Sequence, residues 1–187
     1  MANLNEFRNR LTDGGARANQ FKVVITSRFI TDSESLTFLC RSASLPAMTI
    51  GEVPVFYRGR QIYVAGDRTF ADWTVTVYND GDWVARSNME NWNNALQEIG
   101  SDTGGAHNPS DYYGTIDVTQ LDRSDNPLRT AQLIDAWPTN VGEIALAYDT
   151  VDAVEEFDVT FRFNYMVLGG SGTLLGSGGS LGASGNL

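Results

Sequence analysis

Glu155-Glu156-Phe157-Asp158-Val159-Thr160-Phe161-Arg162-Phe163-Asn164-Tyr165-Met166-Val167 places an apolar side chain at every second position. Phe157, Val159, Phe161, Phe163 and Tyr165 alternate with Asp158, Thr160, Arg162 and Asn164. Side chains on a strand point to opposite faces in turn, so this pattern reads as one long strand with a buried face and a wet face. Trp73-Thr74-Val75-Thr76-Val77-Tyr78 repeats the pattern, so a second strand is expected there.

Working outward, residues 21–29 read as a strand with Phe21, Val23 and Ile25 on one face. Residues 36–42, 113–121 and 130–137 read as further strands. Between residues 46 and 68 the spacing predicts a hairpin arm that turns at Arg58-Gly59, where Gly59 supplies the positive φ of a tight turn. Pro46 and Pro54 keep part of this arm at an edge. Met89, Trp92, Leu96 and Ile99 recur at spacings of three and four, the apolar stripe of a helix. The turn Asn79-Asp80-Gly81-Asp82 offers that helix an N-cap, and Gly100 is placed to stop it. The expected fold is mainly β: a β-sandwich or barrel with one flanking α-helix and a long β-hairpin arm.

The chain divides into a polar N-terminal arm (1–20) with a helical turn around residues 4–11, a β-domain (21–168) and a Gly/Ser-rich tail (169–187) that is flexible by composition. Leu174, Leu175 and Leu181 in that tail offer docking points to a neighbour. A weak internal repeat sets Pro46-Ala-Met-Thr-Ile-Gly-Glu-Val against Pro138-Thr-Asn-Val-Gly-Glu-Ile. Each copy leads to a like strand, 72–77 and 156–161, as a duplication would give, and as chance likeness of short β-patterns also gives.

The formal net charge of −10 argues against a surface built to grip nucleic acid or an anionic membrane. Of the thirteen basic residues only Lys22 is not arginine, and arginine favours interface pairs. No apolar run approaches the roughly 20 residues of a membrane span, and residues 1–10 carry no apolar signal core. Cys40 is the single cysteine and reads as a small buried residue on a strand.

Catalytic chemistry finds little to use. His107 is the only histidine and stands in a Gly-rich loop with no nucleophile elbow elsewhere. One His and one Cys do not make a transition-metal site, and Asp80-Gly81-Asp82 lacks the spacing of a calcium loop. Glu155 and Glu156 face opposite ways on a strand, so they cannot flank one glycosidic bond; with Asp149 and Asp152 they read as acidic surface. No catalytic, cofactor or metal residue is assigned. The arm stands out instead. Val55, Phe56, Tyr57, Arg58, Gly59, Arg60, Ile62 and Tyr63 are the residues expected to contact another subunit, because so much apolar surface on a lone protrusion invites aggregation.

Four stretches carry a family resemblance: Arg17-Ala-Asn-Gln-Phe21-Lys-Val-Val-Ile; Phe38-Leu-Cys-Arg-Ser-Ala-Ser-Leu-Pro46; Arg58-Gly-Arg60 with Ala65-Gly-Asp-Arg68-Thr-Phe70-Ala-Asp-Trp73 through Asp80; and Trp137-Pro138 through Ile144 with residues 155–161. In this order they resemble the tail tube proteins of contractile-tailed bacteriophages. The resemblance implies stacked hexameric rings whose inner strands close into one β-barrel, a hollow conduit for DNA inside a contractile sheath. It implies self-association through the arm, a tail sheath protein outside, a tape-measure protein and transient phage DNA in the lumen, and no membrane anchor. It also implies a place in the virion tail after assembly in the bacterial host cytoplasm. An acidic lumen would let DNA slide without sticking. Two alternatives share the fold: a tube-initiating or baseplate-proximal protein, and a secretion-system ring protein. A carbohydrate-binding β-sandwich is the non-structural alternative; it would work as a monomer.

Overall fold

The computed structural model describes residues 15–31, 39–100, 104–149, 151–170 and 173–175, together with Leu4, Glu6, Leu36 and Thr37. Most of the expected helical turn at 4–11 and the tail from residue 176 onward, with Leu181, lie outside the described residues. Among the described residues ten strands and one complete α-helix follow in order: β1 (Phe21–Thr26), β2 (Cys40–Ala43), β3 (Met48–Tyr57), β4 (Arg60–Phe70), β5 (Trp73–Tyr78), α1 (Val84–Leu96), β6 (Gly114–Leu121), β7 (Pro127–Val141), β8 (Glu156–Arg162), β9 (Tyr165–Gly170) and β10 (Thr173–Leu175). The mainly β architecture with one flanking helix and a separate hairpin is as expected.

The strands pair in the order β1-β6-β7-β8-β5-β2, with β9 also on β7 and β10 on β9. β7 is the hinge of this arrangement. Its first half bonds β6 and β9, and its second half bonds β8. The two halves meet at Asp135, whose φ of 56° turns the strand; aspartate tolerates this left-handed region better than most residues. Asn164 donates its backbone N–H to the Ile134 carbonyl (3.2 Å) and its side-chain amide to the Asp135 carboxylate (3.2 Å). Two segments of the chain therefore change sheets at one corner.

That corner corrects the reading of 155–167 as one strand. Phe157, Val159, Phe161 and Phe163 are buried, but the chain breaks at Phe163-Asn164 and Tyr165 emerges 49% exposed. Alternation reports which way a side chain points, not which neighbour the backbone pairs with. Between β5 and β8 the in-facing residues stand opposite one another: Trp73 and Phe161, Val75 and Val159, Val77 and Phe157. The strands that follow the two repeat copies are thus partners in one sheet. Val23, Ile25, Ile116, Val118 and Leu133 supply the facing layer.

α1 closes one end of the core through Ala85, Met89 and Trp92. Trp92 is wholly buried, its ring centroid 5.8 Å from Phe161 and 6.3 Å from Phe29, and its indole N–H donates to the Tyr112 carbonyl at 2.7 Å. The helix is shorter than its stripe suggests. It ends at Leu96 on an extended Gln97, so Ile99 lies beyond it, 89% exposed, and Gly100 does not stop it. Its N-cap is Trp83, in the left-handed region with no side-chain cap bond, not the preceding Asp/Asn turn. Two strands are also shorter than expected: β1 stops at Thr26, and Leu36, Thr37 and Leu39 are helical, leaving β2 to start at Cys40. At the other end of the domain, Leu174 and Leu175 form a short return strand against β9.

On the outer side of β6, Asp117 is half-buried opposite Gln132 on β7. Burial pushes its carboxyl above the usual range, and the hydrogen bond from Gln132 opposes that only in part. A raised folded-state pKa means that the folded chain holds this proton more tightly than the unfolded one. The ionised form therefore weakens folding at neutral pH, and the penalty fades as pH falls through the folded pKa. Asp117→Asn should gain about 0.5 kcal/mol at pH 7, because the amide carries no charge to hold away from water. The gain should vanish near pH 3; urea unfolding at both pH values measures it.

Candidate assembly surfaces

β3 and β4 form a two-stranded sheet that pairs with no other strand among the described residues. The register runs from Met48 opposite Phe70 to Tyr57 opposite Arg60, with a bulge where Ile50 and Glu52 face Arg68 and Ala65. Arg58 and Gly59 both have positive φ, 48° and 81°, which is the two-residue turn whose twist matches its strands. Ten strand residues at about 3.3 Å each give the arm a reach of roughly 30 Å.

All eight residues expected to touch another subunit sit at the far end of this arm, where the register brings them together. Val53, Val55 and Tyr57 share one face with Arg60, Ile62 and Val64; Pro54, Phe56, Gln61 and Tyr63 share the other. Neither face is covered, and Phe56 is 73% exposed. The Arg58 guanidinium rests 5.3 Å from the Tyr57 ring centre, leaving its charge facing water. Isolated hairpins are marginal in water, and exposed apolar surface of this extent is uncommon on a monomer.

A second surface is a pair of strand edges. The sheet β7-β8-β5-β2 ends on β2 at one side and, among the described residues, on Asn140 and Val141 of β7 at the other. Its outward face is polar. Thr74 and Thr160 share a hydroxyl hydrogen bond (3.1 Å), Thr76 donates to Asp158 (2.7 Å), Arg162 pairs with Asp72 (2.7 Å), and Arg41 pairs with Glu156. Pro138 sits at a bulge in the β7 edge.

A third surface escaped the sequence reading. Residues 142–155 join β7 to β8, and the described residues among them form no strand or helix. Both ends are pinned. Gly142 donates its N–H to the Asp158 carbonyl (2.6 Å), so close that a Cβ would lie 2.8 Å from that oxygen, and its own carbonyl accepts from Arg86 of α1 (2.9 Å). At the far end, Asn79 donates its backbone N–H to the Glu155 carbonyl (2.8 Å) and its side-chain amide to the Glu155 carboxylate (3.0 Å). Between the pins Leu146, Tyr148, Val151 and Val154 are exposed. No periodicity marks such a loop; the only sequence signal is apolar residues standing among acids.

The groups weighed for chemistry are not brought together as a catalytic set. His107 is exposed in the loop after α1. The Cys40 thiol donates to the Leu36 carbonyl (3.4 Å), and burial pushes it up to about 12, so it stays protonated and a poor nucleophile. Glu156 is held by Arg41, and Glu155 by Asn79. Among the described residues no three His, Cys, Asp or Glu side chains cluster to hold a metal ion.

Known proteins share this design. The chain matches the phage tail tube protein family over residues 4–168. It is 37% identical over 152 residues to the tail tube protein gp19 of Enterobacteria phage T4, covering 80% of this chain and 90% of that one. It is 29% identical over 169 residues to the tail tube protein of Serratia phage KSP90, covering 87% and 95%. Among solved structures, a chain of the sheath-tube complex of an extracellular contractile injection system, PVC, in its extended state superposes with a TM-score of 0.63 at 10% identity, covering 91% of this chain and 99% of that one. The structural likeness extends the fold beyond recognisable sequence, and the sequence match over nearly the whole β-domain decides descent: the chain belongs to the phage tail tube protein family.

Proposed function

We propose that this chain is the ring-forming subunit of the tube of a contractile tail, stacked as hexamers into a conduit for DNA. The exposed apolar arm carries the reading, because a monomer gains nothing from presenting Phe56, Tyr57, Ile62 and Tyr63 to water. The open edges of β7-β8-β5-β2 support it, since pairing β2 of one subunit with β7 of the next removes both edges at once. Six subunits with four strands each make about 24 strands; at about 4.8 Å per strand and a tilt near 40°, the backbone radius is roughly 24 Å. Such a bore is wider than a DNA duplex.

The polar face of that sheet suits the bore. Its hydroxyls are uncharged, and Arg41 and Arg162 are each occupied by a carboxylate, so neither offers phosphates a free cation. The net charge of −10 adds a repulsion that salt screens beyond about 10 Å. A sheath protein would surround the tube, and a tape-measure protein would share the lumen with DNA in transit. Negative-stain electron microscopy of the purified protein over a concentration series tests this. Rings or stacked tubes are expected; persistent monomers at high concentration would end the reading.

A further inference from the structure

We propose that the arm tip of one copy docks on the 142–155 loop of a second copy, an acidic, apolar seat for a basic, apolar plug. The inference rests on the tube reading and deepens it by naming the surface that receives the arm. Two observations converge. The first is charge. From Val53 to Val64 the arm carries Arg58 and Arg60 and no acid, while the loop carries Glu143, Asp149, Asp152 and Glu155 and no base. Neither arginine and none of Glu143, Asp149 and Asp152 forms an ion pair among the described residues. Opposed unpaired charges of this kind select a partner and its register more than they add raw affinity.

The second observation is shape and apolar content. One arm face presents Val53, Val55, Tyr57, Ile62 and Val64 as a strip. The loop presents Leu146, Tyr148, Val151 and Val154, with Tyr148 fully in solvent. A loop of this length without secondary structure is uncommon in a compact domain and is usually a functional or linker segment. Pinning by Arg86 and Asn79 fixes its ends, so little ordering is required when the arm arrives. Within one copy the arm tip and the loop are both exposed and so do not cover each other, which leaves a second copy to supply the match.

Charge reversal tests the pairing. Arg58→Glu with Arg60→Glu, and separately Glu143→Arg with Asp149→Arg, should each raise the protein concentration needed for tubes at least about tenfold at low salt. All four substitutions in one chain should bring it back to within about threefold of wild type. Circular dichroism and melting of each variant should match wild type, since the four side chains are exposed. If loop reversal assembles like wild type while arm reversal does not, the arm docks elsewhere and only this pairing falls. If the combined chain is no better than either reversal, the pairing is equally wrong. Wild-type protein that never forms tubes would sink the tube reading and the pairing together.

Discussion

Trp92→Ala should lower the unfolding free energy by about 3–5 kcal/mol, the range for emptying a buried tryptophan site. The indole fills the space between α1, Phe29 and Phe161, and its N–H donates to the Tyr112 carbonyl. Truncation leaves a cavity and removes that hydrogen bond in one step, and the bond alone is worth about 0.5–1.5 kcal/mol. Against a typical domain stability of about 5–15 kcal/mol, the loss is a large share. For a chain of this size it corresponds to a fall in melting temperature of roughly 10 °C. Trp92→Phe keeps most of the volume and should cost about half as much. Urea unfolding followed by far-ultraviolet circular dichroism checks both. A loss under about 1 kcal/mol for the alanine variant would mean that α1 is not the lid of the core.

The second large effect falls on assembly and spares the fold. Excising residues 53–64 and joining Glu52 to Ala65 through Asn-Gly keeps a hairpin, because those two residues face each other in the register and Asn-Gly suits the two-residue turn. No core side chain is removed, since every strand position of the excised segment is exposed. The shortened chain should melt within a few degrees of wild type and should form no tubes at a hundred times the wild-type threshold. Light scattering after size exclusion, with electron microscopy, reads the outcome. Tubes from the shortened chain would show that the arm is dispensable and would move the assembly surface to the strand edges.

Much of the fold is legible in the chain because side-chain direction is local. Trp73, Val75 and Val77, and Phe157, Val159 and Phe161, announce their strands by spacing alone, and they prove to be partners. Met89 and Trp92 mark α1 in the same way. What fails to show is whatever depends on a distant neighbour. Phe163 and Tyr165 continue the alternation across Asn164, yet the backbone has changed sheets there, guided by Ile134 and Asp135 about thirty residues away. Ile99 keeps the helical spacing after the helix has ended, because the chain turns back and Ala106 donates to the Ala95 carbonyl instead.

The assembly surfaces divide along the same line. The arm was readable, since a tight turn at Arg58-Gly59 between apolar runs is a local signal with an obvious cost if left alone. The strand edges were not, because an edge is defined by the partner it lacks. The 142–155 loop was seen only as acid; that Leu146 and Tyr148 stand out from the surface follows from pins at Arg86 and Asn79 that belong to other elements.

β7 has a mechanical consequence. It is one unbroken covalent strand shared by both sheets, bonded to β6 and β9 at one end and β8 at the other. Shearing one sheet past the other would have to break ladder bonds on a single backbone, many at once and not in turn. A subunit stitched this way yields as a rigid block. Axial thrust or torque on a stack of such blocks would be taken up at the joints between subunits, while each interior keeps its shape.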